Sequence, residues 1–433
     1  MFKDKRFLIT QPIIRGFNGS TLVALELATT LQNLGAKVTI YTCNYAKPAS
    51  TYFQKANLHV DTLQNNPNYK LSDFDYIWIH SQILPISIIK ELSSKHSKTP
   101  SFIFLHMSGM DWIPDEKPWI FDLENQLSSL SLFISEEVLE VNKPLLNPSI
   151  PTNFFRNPAP KEYLQIKSSP SPTLQKLLII SNHPPKEVLE AKKILIEKHH
   201  LDVSTLGEGQ DKYVLVSPSI LNQYDAVLTI AKTVPYCLLA NKPVYIYDAF
   251  GGGPGWLNKN NFNQAKYRNF SGYQNHLFPN YEGKGFSFKK PEQISQEIIN
   301  GYKEALTFQT SQHDNFIQDF SLEQVLPNLL QPIQQRKITP FTKTYTESVI
   351  ASQLFAFERF EAVNLLYERD ADIHRILRDI DKLNTDNAAL SQYKKSAEAV
   401  FSSRSYRLFN KFIQSYQKIK YRKNKGSDHD KEI

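Results

Sequence analysis

What most limits the folding of this chain is an alternation, made twice, of short apolar stretches with longer stretches of helical apolar spacing. In the first round, residues 6–14 are apolar and Gly16-Phe17-Asn18-Gly19-Ser20 has turn chemistry; residues 22–34 are spaced as a helix, and Lys37–Thr42 alternates. Gly35 stands where a helix C′ residue belongs. Short strands follow at 75–80, 102–106 and 132–135, with helical stretches near 85–94 and 117–130. Strands that alternate with helices run parallel and need cover on both faces, so this part is expected to be α/β and doubly wound.

Residues 157–172 carry Pro158, Pro160, Pro170 and Pro172 with little periodicity, which predicts a linker. The pattern then restarts: strand at 176–181, helix at 186–199, strands at 202–206 and 225–230, helix at 233–240, strand at 243–247. Helices are expected from Pro291 to about residue 330, and a linker over 331–342. Four domains are therefore expected: a Rossmann-like lobe at 1–160, a second at 173–330, a helical segment at 343–398 and a basic tail at 399–433. Two such lobes joined by a proline-rich hinge place a cleft between them. In the helical segment Ile373, Ile376, Ile380, Leu383, Asn387 and Leu390 recur at three and four residues, which fits a short coiled coil or a helix packed back on the lobes.

Composition enters where it excludes classes. At 433 residues with 41% hydrophobic side chains the chain is globular, not disordered. Its two cysteines, Cys43 and Cys237, fit a reducing cytosol and look unlike metal ligands. No leader-like apolar stretch opens the sequence, and no window is long and apolar enough to span a bilayer. The net charge of +7 is concentrated: residues 401–425 hold eight Lys or Arg and no acid. A local basic segment points to one contact surface and away from nucleic acid.

Candidate site residues fall at strand ends. Gly16 and Gly19, between a strand and a helix start, allow close ligand approach, although a glycine turn with an N-cap serine reads equally well. His80 and His106 each close an apolar strand, where a parallel sheet holds its ligands. Neutral or protonated, such a histidine suits a sugar hydroxyl or a phosphate; a satisfied structural histidine is the alternative. Lys232 and Thr233 bring a cation, a hydroxyl and free N–H groups to one helix start suited to a diphosphate. Gly251-Gly252-Gly253 opens after a strand ending at Asp248, and close backbone approach to a ligand is expected there. Asn182 and His183 face the same edge. No acidic pair sits where a metal–nucleotide site needs one, so no metal and no cofactor is expected.

These stretches resemble the GT-B glycosyltransferases, particularly family-4-like enzymes of bacterial surface-polysaccharide pathways, over about residues 6–330. GFNGSTLVALELATTLQNLGAKVTIYT is similar to that family's glycine loop, long helix and second strand; FDYIWIHSQ and FIFLHMSG resemble its histidine-ended strands. ISNHPPKEVLEAKKIL and AKTVPYCLLANKPVYIYDAFGGGPG resemble the segments that hold the nucleotide-sugar. The family usually carries two glutamates seven residues apart before and within this helix. Residues 231–243 hold no acid, and the anomeric outcome stays open.

The resemblance implies a metal-independent glycosyltransferase of hexosyltransferase type. A nucleotide-diphosphate sugar, UDP-sugar first, would sit in the second lobe, and a glycan or lipid-linked acceptor of cell-surface polysaccharide synthesis in the first. His106 is the candidate for touching the transferred sugar, Asp111 a second candidate base, and Lys232 the stabiliser of the departing diphosphate. The rival reading is a non-catalytic subunit of the same fold that binds a partner transferase or glycan. A sugar-nucleotide epimerase is a third reading, since fold alone does not select among them. Residues 401–425 are expected to form an amphipathic helix on the anionic inner face of the membrane, with Leu408, Phe409, Phe412, Ile413, Tyr416 and Ile419 as its apolar stripe. SSRSYRLFNKF resembles a segment that often follows a coiled coil near the end of such transferases. Self-association or a partner subunit through 343–398 completes the expected contacts.

Overall fold

The structure, a computed structural model, describes residues 2–80, 83–96, 98–109, 121–165, 171–208, 210–249, 251–272 and 288–402, together with 407, 408, 410, 411 and 414. The chain divides into two units, Met1–Glu361 and Ala362–Ile433. Asp111 and most of 401–425 lie outside the described residues.

Both sheets belong to the first unit. The first part of the chain lays down β1 (Arg6–Thr10), β2 (Ile13–Ile14), β3 (Lys37–Thr42), β4 (Asn44–Tyr45), β5 (His59–Thr62), β6 (Tyr76–His80), β7 (Ser101–His106), β8 (Ser128–Phe133) and β9 (Thr152–Phe154). Seven of them form a sheet in the order β5-β3-β1-β6-β7-β8-β9, every neighbour parallel, while β2 and β4 pair separately. Parallel strands are covered on both faces and so read as continuous apolar runs. All six residues of β7 are buried for that reason, and so are those of β8. β8 begins four residues before its expected start because Ser128, Ser129 and Ser131 interrupt its apolar run while remaining in the core. Gly35 has φ 90°, as a residue closing the helix Gly19–Asn33 requires.

The second sheet takes β10 (Lys176–Ile180), β11 (Asp202–Leu206), β12 (Ala226–Thr229), β13 (Val244–Asp248) and β14 (Gly252–Trp256) in the order β11-β10-β12-β13-β14. Its first four strands are parallel, and β14 returns antiparallel on β13. The stretch Gly251, Gly252 and Gly253, expected as an open loop, forms a turn and the start of this edge strand. A Cβ on Gly253 would stand 2.2 Å from the Ile246 carbonyl oxygen, so the backbone that demands glycine here is the protein's own.

The chain then returns to the first sheet. Helix Pro291–Phe320 covers the second sheet with Ile294, Ile298, Tyr302 and Ala305. Helix Leu322–Leu330 delivers Leu322, Leu326, Leu329 and Leu330 to Phe7, Ile9 and Trp78 on one face of the first sheet. Each buried leucine contributes about 1.5–3 kcal/mol, which outweighs the roughly 3 kcal/mol cost of Pro327 inside that helix. Phe341, Val349, Phe357 and Phe360 cover the opposite face, against Leu8, Ile77 and Phe102. Phe7, Leu8 and Ile9 thus alternate between two cores, the period of two that a strand imposes. Helix Lys343–Ser402 contributes Val349 to Phe360 to this packing; its residues from Ala362 onward belong to the second unit.

Candidate functional site

At the carboxyl end of the first sheet, β1 runs into a loop held by Gln11. Its Nε2 donates to the Ile13 carbonyl (3.2 Å) and to Ser20 Oγ (3.0 Å), which leaves Oε1 to accept from His80 Nδ1 at 3.1 Å. His80 is fully buried, and burial pushes its pKa down to about 3. Burial thus favours the neutral imidazole, one of the two expected forms, with a lone pair on Nε2 that has no partner among the described residues. Asn18 caps the following helix through Thr21 N at 2.9 Å.

His106 is equally buried. Its Nε2 bonds Glu124 Oε1 at 2.8 Å, and its ring lies between Phe133 (4.7 Å) and Phe121 (5.7 Å). Ser131 Oγ donates to the same Glu124 oxygen at 2.5 Å, and Ser128 joins Ser131 at 3.0 Å. Neither His106 Nδ1 nor Glu124 Oε2 has a partner among the described residues. Glu124 was not singled out in the sequence; its signal is an acid beside Leu123 and Leu127, the buried side of helix Phe121–Leu127.

Lys232 is the largest departure from expectation. The residue is 5% exposed, and Nζ is held by Glu26 Oε2 (2.6 Å), the Pro158 carbonyl (2.7 Å) and the Asn157 carbonyl (3.2 Å). An ammonium has three donors, and three acceptors lie around it. Tyr236 donates to the other Glu26 oxygen and lies 4.9 Å beneath the ammonium. Burial raises the Glu26 carboxyl and lowers the Lys232 ammonium, while each charge favours the ionised form of the other. The cation offered to a diphosphate in the sequence reading is thus committed to a glutamate of the first lobe. Ala231, just before it, has φ 50°, a left-handed backbone that costs a non-glycine residue about 1–2 kcal/mol.

The lobes meet at further points. Tyr213 places its hydroxyl 3.1 Å from Phe17 N and its ring 5.1 Å from the Phe17 ring. A Cβ on Gly16 would sit 3.1 Å from that hydroxyl, and one on Gly19 3.8 Å from Lys232 Cβ, so the glycine loop approaches the other lobe. Asn157 donates to Asn269 at 2.8 Å, and Tyr267 donates to Glu140. Glu137, on the same helix as Glu140, is raised to about 7 by burial; Arg268 pulls it down and Glu140 pushes it up. Thr233 is half-buried at its helix start and His183 is exposed, while Asn182 Oδ1 accepts from Glu208 N at 3.1 Å. Gly251 N donates to Asp248 Oδ1 at 3.0 Å, which ties the glycine turn to its own strand. Among the described residues no His, Cys, Asp or Glu group is arranged to hold a metal.

No family model matches the chain, and no curated protein does. Solved structures are similar to it. A glycosyltransferase of Rickettsia africae ESF-5 is 12% identical, with a TM-score of 0.46 over 76% of this chain and 97% of that one. HepE of Anabaena, solved with UDP and glucose, is 12% identical, with a TM-score of 0.46 over 76% of this chain and 98% of its own. Sucrose-phosphate synthase of Thermosynechococcus elongatus is 10% identical, with a TM-score of 0.47 over 76% and 98%. On the topology of its own two sheets, the chain has two doubly wound, Rossmann-like lobes.

Proposed function

We propose that the protein is a glycosyltransferase that moves a sugar from a nucleotide-diphosphate sugar, a UDP-sugar first among candidates, to a glycan or lipid-linked acceptor of cell-surface polysaccharide. The donor belongs to the second lobe and the acceptor to the first. The reading is carried by one observation: the carboxyl ends of both sheets converge on one seam, with the loop after β1 against Tyr213 and the helix after β1 against Lys232.

In this reading Lys232 reaches a diphosphate only by giving up Glu26, so donor binding is coupled to parting of the lobes. Thr233 and its helix start would add N–H and hydroxyl contacts. His106, held by Glu124, would touch the sugar, with Asp111 as second candidate base. A second reading, a non-catalytic subunit of the same fold, is favoured by the commitment of Lys232 and by the absence of acid over 231–243.

Thermal shift against UDP-, GDP- and dTDP-sugars tests binding, since a donor at 100 times its Kd stabilises by about 2.7 kcal/mol. Mass spectrometry of products made on a membrane-extract acceptor, with EDTA present, tests transfer and metal independence. A shift accompanied by product supports the transferase, and no shift with any donor rejects it in favour of the non-catalytic subunit, which binds a partner transferase or glycan. Residues 399–433 are proposed to hold the protein to the inner face of the membrane; among the described residues no helix is long and apolar enough to cross it. Salt-sensitive flotation with anionic liposomes, lost on truncation after Ala399, is the expected result, and equal flotation of both forms would reject it.

A further inference from the structure

The second unit is described as helix from Ala362 to Ser402, and it carries an uncovered apolar stripe. Ile373, Ile376, Ile380, Leu383 and Leu390 are 54%, 53%, 46%, 61% and 64% exposed. Their spacing of three and four fits the a and d seam of a coiled coil, and here it is exposed. In heptad terms Ile373, Ile380 and Asn387 occupy a, and Ile376, Leu383 and Leu390 occupy d. Arg369 and Lys394, at the flanking d and a positions, bound the run.

We infer that this segment pairs with the same segment of a second copy of the chain, as a parallel, in-register, two-stranded coiled coil. The a and d residues select two strands, because β-branched isoleucines at a, with leucine at two of three d positions, favour the dimer. Asn387 selects the partner. It is the one polar residue inside the run, and its amide would lose its hydrogen bonds against an apolar helix. In a parallel pair in register it meets the other Asn387, and each amide gains a donor and an acceptor.

Charge selects the direction. Asp372, Asp379 and Asp386 stand at g, and an antiparallel pair would set g against g with like charge. A parallel pair sets each g against the e position of the next heptad, Leu377, Asn384 and Ser391, all uncharged. From Ile373 to Leu390 the seam is about 26 Å long at 1.5 Å per residue. With helices about 10–12 Å across it buries on the order of 600 Å² over both partners. That is below the roughly 1,200 Å² at which stable interfaces begin, so the dimer dissociates on dilution. The pairing does not depend on the reaction proposed for the lobes.

Sedimentation velocity of the full chain from about 1 to 100 μM is expected to show a monomer–dimer shift, the range where a weak interface titrates. Ile380→Asp should raise the dissociation constant at least about tenfold, as loss of a central seam residue does. Asn387→Ile should tighten association and admit higher oligomers, which reads the same seam even if Ile380→Asp disturbs the helix. For direction, Ile373→Cys and Leu390→Cys are oxidised separately and mixed; the native Cys43 and Cys237 are buried. Each variant should crosslink to itself. A monomer at every concentration, a dimer indifferent to both Ile380→Asp and Asn387→Ile, or crosslinks only in the mixture would each overturn the inference.

Discussion

The strand ends of the two sheets hold their polar side chains in different ways. In the first lobe His80 is bonded to Gln11 and His106 to Glu124, so both imidazoles are fixed by residues of their own lobe. In the second lobe Lys232 is fixed by Glu26, a residue of the other. Bonds within a lobe survive any movement of one lobe on the other. A bond across the seam is made and broken with that movement, so Lys232 reports the lobes' relation and the histidines do not.

The sharpest way to break that contrast is to remove one partner of the seam pair. Lys232→Ala leaves Glu26 buried without its cation, and a loss of about 3–5 kcal/mol in urea unfolding is expected. The double change Glu26→Leu with Lys232→Met should recover most of it, because two apolar groups replace a desolvated pair. A single-variant loss below about 1 kcal/mol would mean the pair is solvated in solution.

Gly253→Val tests whether the second lobe's glycine stretch serves its own sheet. With a Cβ position 2.2 Å from the Ile246 carbonyl oxygen, β14 must leave β13, and a stability loss of about 3 kcal/mol is expected with or without any donor. Unchanged stability together with lost donor binding would restore the ligand-loop reading.

The first lobe is tested through pH. His80 has its folded pKa depressed to about 3 from 6.5, so the unfolded state takes up the proton first. Its contribution is complete above about pH 6.5 and falls by about 1.4 kcal/mol per pH unit below it, about 2 kcal/mol by pH 5. Glu137 works in the opposite sense: raised to about 7 from 4.5, it lowers stability as pH climbs through that interval. His80→Gln should therefore leave a stability that declines from pH 5 to 7, where the native chain is flatter. A native slope retained in the variant would separate His80 from it.

The smallest effect is expected at Glu124→Gln. The amide keeps one acceptor for His106 or Ser131 and leaves one polar atom unmatched, at about 1–2 kcal/mol. Because the pair lies inside one lobe, any change in activity should appear in kcat more than in donor affinity. An equal loss in donor affinity would place His106 in the seam's own coupling.

Much of this architecture is legible in the sequence. Lys37–Thr42 and Asp202–Leu206 are strands with the expected bounds, and Gly35 closes its helix as its position requires. The misses have particular causes. β8 was shortened by buried serines whose hydroxyls bond each other and Glu124, polar residues that a hydrophobic pattern cannot count as core. From sequence β14 reads as a loop because glycine is poor in strands by propensity, and only the Ile246 carbonyl beside Gly253 shows why nothing larger fits.

Local spacing determined the strands, the helices and the heptad stripe, because backbone periodicity is written in neighbouring residues. It also placed His80, His106 and Lys232 at strand ends. Which atoms those side chains meet was decided only by the tertiary structure. Glu26 and Lys232 are 206 positions apart and Phe17 and Tyr213 are 196 apart, and nothing local to either member marks its partner. Burial decided the rest: the same imidazole that titrates near 6.5 in water is held neutral to about 3 once the sheet and its covering helices exclude solvent from His80.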